Sequence, residues 1–212
     1  MVTKVTNYFH ASVFFDIAKR AAEGENTDPD APIIAVMFSV LALEAFINEA
    51  GALARTVGFS ESEQHVEEFY SIMKELEERR ESLLAKYDKG LLVFTDSMCE
   101  KGAQPFQDFK LLVTIRNSAV HMKADEWRVK VEQGKTDPER GITQYPKFVK
   151  TLQQRKIIEL STDSNSWLDE IMQPHLSTWA CKTAEAITKY FLDVVPAGYY
   201  KESLSRHVFS IK

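Results

Sequence analysis

Apolar residues recur along the chain at the three- and four-residue spacing that is typical of α-helices. This pattern predicts a first helix over residues 7–22, which Gly24 ends. A second helix is predicted over residues 32–58 and is apolar on nearly all sides, as in a helix buried within a core. Its longest apolar stretch, residues 33–43, is interrupted by Glu44 before it reaches the length of a membrane span, so we predict no membrane segment.

Two further helices are predicted in the middle of the chain. Ser60 and Glu63 form a capping-box pattern that opens a third helix, and its glutamate-rich sequence extends to about residue 86. A fourth helix is expected over residues 105–124, where apolar side chains form two arcs on roughly opposite sides. Such a helix must be covered on two sides, so it is either the central helix of a bundle or a helix that also meets a second subunit.

Residues 125–165 are less regular than the segments before them. Glycines and prolines interrupt this stretch, and the alternation over residues 127–131 permits a short strand. We therefore expect an irregular insertion between helices.

A final helical region follows the insertion. Ser166 and Asp169 predict its cap, and Pro174 predicts a break or a fresh start before the helix continues. Residues 197–212 are expected to be irregular. The whole chain, residues 1–212, is thus predicted to form one all-α domain with about five main helices and an insertion before the last one.

Composition and cysteine spacing exclude several folds and kinds of site. The 212 residues include only 8 Gly and 7 Pro, too few turn residues for a many-stranded β-sandwich or barrel. The cysteines, Cys99 and Cys181, lie far apart in the sequence and support neither a disulfide framework nor a cysteine-based zinc site. Residues 1–15 lack the unbroken apolar segment of a signal peptide. We therefore expect a cytoplasmic protein.

Three polar side chains near the end of the fourth helix carry the candidate chemistry. Asn117 and His121 lie four residues apart and share a face, whereas Arg116 lies about 140° round the helix from His121. One chain therefore spreads these groups across a ridge. In an antiparallel, two-fold pairing of such ridges, the arginine of one chain meets the histidine of the other, so a composite site at a dimer seam is easier to build than a single-chain site.

Other catalytic patterns are absent from the sequence. There is no glycine-rich phosphate loop, no G-x-S-x-G nucleophile elbow and no H-E-x-x-H zinc motif. The histidines outside the fourth helix lie far apart and lack the spacing of metal ligands. We therefore predict neither a metal site nor a cofactor.

The end of the fourth helix reads RNSAVH, residues 116–121. This run fits the pattern R-x(4-6)-H with a polar residue directly after the arginine, and it resembles the signature of the HEPN domain superfamily (higher eukaryote and prokaryote nucleotide-binding). The order of the early ALEAFINEAGALAR helix, the helix with the signature and the closing WACKTAEAITKYF helix is also similar to that of bacterial HEPN proteins, over residues 7–196. The resemblance implies an all-α, HEPN-like helical bundle.

Many members of this superfamily are metal-independent endoribonucleases that act as dimers. The resemblance therefore implies RNA cleavage at a homodimer seam, with His121 in proton transfer, Arg116 on the phosphate, and Asn117 orienting the histidine or bonding the phosphate. It also implies a bacterial role in defence, toxin–antitoxin systems or RNA processing, with an antitoxin or another protein as partner. Lys123 stands where many HEPN toxins carry a modified tyrosine, so regulation through that tyrosine is not expected.

Other interpretations remain open at this stage. Some HEPN proteins have lost activity, so the chain is alternatively a non-catalytic module that binds a nucleotide, RNA or a protein. Arg116 alternatively pairs with Glu44 or Glu49 in a purely structural contact. Glu44 and Asn48, one turn apart on an apolar helix, are expected to support the structure or to hold Arg116 in place. A helical adaptor unrelated to the family requires the fourth helix to be buried on both sides within one chain.

A local basic patch lies in the insertion, although the chain carries a net charge of −5. Residues 142–158 contain cations and no acid, with Tyr145 and Phe148 between them. Such a segment suits single-stranded RNA, which stacks its bases on rings and places its phosphates on cations. Alternatively, the rings attach a solvated insertion to the bundle. The candidate RNA-binding residues are Lys123, Lys147, Lys150, Arg155 and Lys156.

Overall fold

The computed structural model describes residues 9–24, 28–56, 64–95, 102–122, 127–130, 139–142, 145–161, 164 and 166–206. This part of the chain forms a helical bundle with one short antiparallel ribbon, so the predicted helical class is confirmed. The helices are α1 (Ala11–Glu23), α2 (Ala31–Thr56), α3 (Gln64–Glu78), α4 (Leu83–Thr95), α5 (Phe106–Val120), α6 (Lys147–Gln154), α7 (Trp167–Ile171), α8 (Pro174–Val194) and α9 (Tyr199–Ser205). The strands are β1 (Trp127–Lys130) and β2 (Glu139–Ile142), with Trp127 opposite Ile142.

The bundle is built around α2. Pro32 lies in its first turn, where a missing backbone N–H costs nothing, and α1, α8, α3 and α5 pack against it. By length and composition α2 is apolar enough to cross a membrane, but more than half of its most apolar stretch is buried among the other helices. It has the position expected of a core helix.

Two buried tyrosines attach neighbouring helices to the backbone of α2. The hydroxyl of Tyr87 on α4 donates to the carbonyl of Leu43 at 3.1 Å, and the hydroxyl of Tyr200 on α9 donates to the carbonyl of Ala50 at 2.9 Å. Burial raises the pKa of both tyrosines well above the ordinary value, so both stay protonated donors. Leu43 and Ala50 are two helical turns apart, so α4 and α9 are fixed along one side of α2.

An aromatic cluster joins α3, α4, α8 and α9. The ring of Phe69 lies 5.1 Å from that of Phe94, 5.8 Å from that of Phe191 and 6.2 Å from that of Tyr200, measured between centroids. Gly90 permits this packing, because a Cβ atom there would lie only 2.9 Å from Cε2 of Phe69. The absence of a side chain at one position thus lets α3 and α4 approach closely.

The predicted third helix ends earlier than expected. It stops at Glu78, and Arg80 adopts a left-handed conformation with φ of 54°. The N–H of Arg80 bonds to the carbonyl of Glu77 and the N–H of Glu81 to that of Leu76, the pair of bonds that closes a Schellman motif. A new helix, α4, then begins after Ser82, so the expectation of one helix to about residue 86 is wrong. Ser60 and Glu63, the predicted cap, lie outside the described residues.

The second half of the chain is more regular than predicted. The short strand is confirmed as β1, but the insertion also holds α6, and residues 199–205, expected to be irregular, form α9. Ser166 and Asp169 form the predicted capping box, and Pro174 is the first residue of α8 as expected. The helix α9 forms because Tyr200 and Leu204, one turn apart, both reach the core.

Candidate functional site

The predicted site residues lie at the C-terminal end of α5. The helix ends at Val120, one residue before His121, so the expectation that the helix continues to residue 124 is wrong. The backbone N–H of His121 donates to the carbonyl of Asn117 at 3.0 Å and caps the helix. The side chains of Asn117 and His121 are exposed to solvent, where a ligand can reach them.

Arg116 is held by two neighbouring side chains. Its Nη2 lies 3.0 Å from Oε2 of Glu44 on α2, and its Nη1 donates to Oδ1 of Asn117 at 3.0 Å. The side chain of Arg116 is 24% exposed and that of Glu44 is 41% exposed, so water reaches the ion pair. Of the two acids considered from the sequence, Glu44 is therefore the partner of Arg116.

Glu49 has a different role, at the start of α1. Its carboxylate accepts hydrogen bonds from the backbone N–H groups of His10 and Ala11, which have no partner within their own helix. Burial raises the pKa of Glu49, and these bonds act in the opposite direction. Glu49 thus fixes α1 to α2 and takes no part in the arginine contact.

The structure places Asn48 away from Arg116. Oδ1 of Asn48 accepts a hydrogen bond from Nζ of Lys86 at 2.8 Å, and the same ammonium pairs with Glu77. Lys86 is buried, although it lies at the end of the glutamate-rich stretch of the predicted third helix. Asn48 and Glu77 therefore place the ammonium of Lys86 between α2, α3 and α4. In the sequence, the only indication of the ion pair between Glu77 and Lys86 is that the two residues are 9 positions apart.

The apolar arcs of α5 are covered along most of the helix. Residues from both arcs are buried within one chain up to Ile115. Beyond that point the covering stops: Val120 is 51% exposed and Met122 is 50% exposed, on either side of His121 in sequence. The central-helix explanation therefore holds for residues 106–115, and an uncovered apolar surface is confined to the end that carries the motif.

The predicted basic patch is divided by the structure. Lys147 and Lys150 lie one turn apart on the exposed side of α6, and Lys156 is exposed just after this helix. Arg155 instead turns inward, where its guanidinium pairs with Asp108 of α5 and donates to Gln107 at 3.0 Å. Lys123 lies outside the described residues.

The two aromatic rings of this patch are occupied by internal contacts. The hydroxyl of Tyr145 donates to Oε1 of the buried Glu170 at 2.6 Å, and burial, with Glu170 beside it, raises the pKa of Tyr145 to about 12. Phe148 is buried, and its ring meets that of Trp167 edge to face at 5.2 Å. The alternative in which the rings attach the insertion to the bundle is therefore the one that the contacts favour.

Two clefts open on the described surface, away from the motif. One of about 670 Å³ lies between α2 and α3, and one of about 300 Å³ lies between α4 and α5. Neither is lined by Arg116, Asn117 or His121. Within the described ranges, no three His, Cys, Asp or Glu side chains lie close enough together to hold a metal ion.

Comparisons with known proteins found no relative: no protein-family model, no curated protein and no solved structure matches the chain. A function is therefore inferred from the residues and contacts of the chain itself and from the resemblance of its RNSAVH motif.

Proposed function

We propose that the chain is a metal-independent endoribonuclease of HEPN type, which acts in the cytoplasm as a homodimer. The observation that carries the proposal is the placement of the motif: Arg116, Asn117 and His121 lie at the C-terminal end of α5, where, among the described residues, Asn117, Val120 and His121 are exposed. A guanidinium, an amide and an imidazole within a few residues supply a phosphate contact, an orienting group and a proton carrier.

The proposed chemistry needs no metal ion. A base removes the proton from the 2′-OH, the 2′-oxygen attacks the adjacent phosphorus, and an acid protonates the departing 5′-oxygen. An imidazole can both accept and donate a proton, so His121 suits proton transfer, while the guanidinium of Arg116 offers a planar fork to the phosphate oxygens. The products are a 2′,3′-cyclic phosphate and a 5′-OH end.

The dimer is proposed because one chain presents only part of this site. Arg116 bonds to Glu44 on α2, and helix periodicity places His121 about 140° round the axis from Arg116, so the two groups are expected on different sides of α5. Val120 and Met122 supply exposed apolar surface next to His121, as expected where a second copy of the helix packs. A two-fold axis at this point brings the arginine of one chain toward the histidine of its partner.

A second candidate is a non-catalytic HEPN module that binds RNA, a nucleotide or a protein such as an antitoxin. The observation that favours it is the ion pair of Arg116 with Glu44. In this pair the carboxylate neutralises the positive charge with which Arg116 would bind a phosphate. Regulation within a toxin–antitoxin or defence system belongs to either candidate and rests on the resemblance alone.

The test is cleavage of a mixed RNA pool in EDTA by the wild type, Arg116→Ala and His121→Ala, with the oligomeric state measured for each. His175→Ala is the matched control, because His175 is also exposed but lies on α8. The proposal expects cutting by the wild type and the control, and none by the two motif variants while they remain folded. Products with 3′-OH ends, or a requirement for divalent metal, would contradict the mechanism. No cutting by any folded dimer would favour the binding module.

A further inference from the structure

We propose that Glu44 competes with the RNA phosphate for Arg116, so that it sets the affinity of the site for RNA. The inference rests on the proposed function, because it assumes that Arg116 binds a phosphate. It assigns a role to a residue outside the motif, because Glu44 lies on α2, 72 residues before Arg116 in the chain.

The contacts of Arg116 leave the guanidinium ordered but available. One nitrogen, Nη2, bonds to the carboxylate of Glu44 and the other, Nη1, bonds to the amide oxygen of Asn117, both at 3.0 Å. A guanidinium has five N–H donors, so these two bonds leave others for a ligand. The three side chains lie at the surface and not in the sealed core.

The strength of the pair suits exchange. An ion pair that water reaches contributes little net free energy, because solvent screens it and holding two long side chains in place costs entropy. A phosphate offers the same guanidinium two oxygens in a bidentate geometry, with stronger charge-assisted bonds. RNA can therefore replace Glu44 on Arg116, and the displaced carboxylate turns to water, to which it is already 41% exposed.

The same geometry makes the carboxylate an opposing charge. A glutamate next to the arginine repels the incoming phosphate until the exchange takes place. A glutamine at this position keeps an oxygen that accepts from Nη2 and so keeps the arginine in place, but it removes the negative charge. Glu44→Gln thus separates the positioning of Arg116 from the competition for it.

The experiment measures binding of a fluorescent 2′-O-methyl RNA, which cannot be cleaved, to the full chain at several salt concentrations. We expect Glu44→Gln to tighten binding by about two- to fivefold. Because Arg116 reaches the phosphate in both proteins, we expect the slopes of log K against log salt to differ by less than about 0.7, the change for one whole phosphate contact. Glu44→Asp keeps the charge and must bind no tighter than the wild type.

Glu75→Gln is the matched control. Glu75 on α3 forms an exposed ion pair with Arg79 at 2.7 Å, so its substitution makes the same charge change at the same kind of contact on another helix. If Glu75→Gln tightens binding as much as Glu44→Gln, the effect is one of overall charge and the inference is wrong.

Two further outcomes distinguish this inference from the proposed function. In the first outcome, Arg116→Ala weakens RNA binding, but Glu44→Gln leaves it unchanged or weakens it. Glu44 then only positions the arginine: the proposed competition is wrong, and the proposed RNA site stands. If the folded wild type does not bind RNA at all, the proposed function fails and the inference fails with it. A thermal melt of each variant shows that these comparisons are made between folded proteins.

Discussion

The interior around α2 and the exposed end of α5 satisfy their polar groups in different ways. In the interior, the hydroxyls of Tyr87 and Tyr200 each bond to a backbone carbonyl of α2, out of reach of water. At the end of α5, Arg116 bonds to side chains that water reaches. The first kind of contact joins helices within the core, whereas the second lies at the surface, where a ligand can reach it.

The same contrast is found along the single helix α5. Phe109 and Leu112 have no exposed surface, while Asn117 and His121, about one to three turns later, are exposed. The difference implies that stability and the proposed activity reside in separate halves of one helix. Substitutions at the exposed end should change function at little cost in stability, and substitutions in the buried half should do the opposite.

The largest expected effect comes from mixing two inactive variants. Arg116→Ala and His121→Ala should each lose RNA cleavage by about 10²- to 10⁴-fold. In a composite site, a mixed dimer keeps the arginine of one chain and the histidine of the other. Unfolding and refolding the variants together should therefore restore part of the wild-type cleavage, because half of the dimers are mixed and each brings one arginine and one histidine to the seam. The rate is measured in EDTA.

The matched control for this mixture is each variant refolded alone, which should stay inactive. If the mixture is also inactive although mixed dimers form, arginine and histidine act within one chain. The site at the end of α5 would then be complete within one chain, and the proposal of a site shared between two chains would be wrong.

Phe109→Ala should have the largest effect on stability. Phe109 is fully buried, and its ring contacts that of Tyr87 at 4.9 Å, so its removal leaves a cavity beside the tyrosine that bonds to α2. We expect a loss of about 3–5 kcal/mol in the free energy of unfolding, measured by urea titration. Asn117→Ala on the same helix should cost less than about 0.5 kcal/mol. Equal losses for the two variants would mean that α5 has no division between a packed and an exposed half.

A smaller loss is expected for Tyr200→Phe, which removes only the hydroxyl that donates to Ala50. The expected cost is about 1 kcal/mol of unfolding free energy, the net value of one buried hydrogen bond. Tyr199→Phe is the adjacent control, because Tyr199 is 61% exposed and should tolerate the change. If Tyr200→Phe is also neutral in urea titration, the bond to Ala50 does not fix α9.

The smallest effect at neutral pH concerns Cys181, which is buried on α8. Burial raises the pKa of its thiol to about 11 from a usual value of 9.0. The folded chain therefore keeps this proton when the unfolded chain has lost it. The corresponding stability is fully present below pH 9 and is lost as the pH rises through about 11. In a Cys99→Ser background, we expect alkylation of Cys181 at pH 8 only after unfolding in guanidinium; rapid alkylation of the folded chain would contradict its burial.

Sequence reasoning located the helices that begin at strong local signals. Pro32 and Pro174 mark the first turns of α2 and α8, and Ser166 caps α7, because a proline or a capping side chain acts within a few residues. The end of α3 and the whole of α6 were missed, and both helices end at a charged residue in place of the usual glycine. Arg80 and Lys156 both adopt positive φ, 54° and 57°, and end α3 and α6 in Schellman motifs. A glycine at these positions would have been visible in the sequence.

For the site, the sequence identified the motif but not all of its surroundings. The pair of Arg116 with Glu44 was one of two alternatives, since helix periodicity cannot tell which acid on α2 faces α5. The contact of Asn48 with Lys86 depends on the turn at Arg80, which brings α4 back against α2, and that turn was not predicted. The exposure of Val120 and Met122 depends on where α5 ends, which the apolar pattern placed at residue 124 and not at Val120.

The buried carboxylate of Glu170 has a consequence for how the chain can vary. It accepts a hydrogen bond from the hydroxyl of Tyr145 and, at 2.9 Å, another from the backbone N–H of Ser161, so a single side chain fastens both ends of the segment that contains α6. Tyr145 and Ser161 are therefore held at one point, the carboxylate of Glu170. A change at Glu170 affects both ends of the α6 segment at once, so this segment varies as a unit.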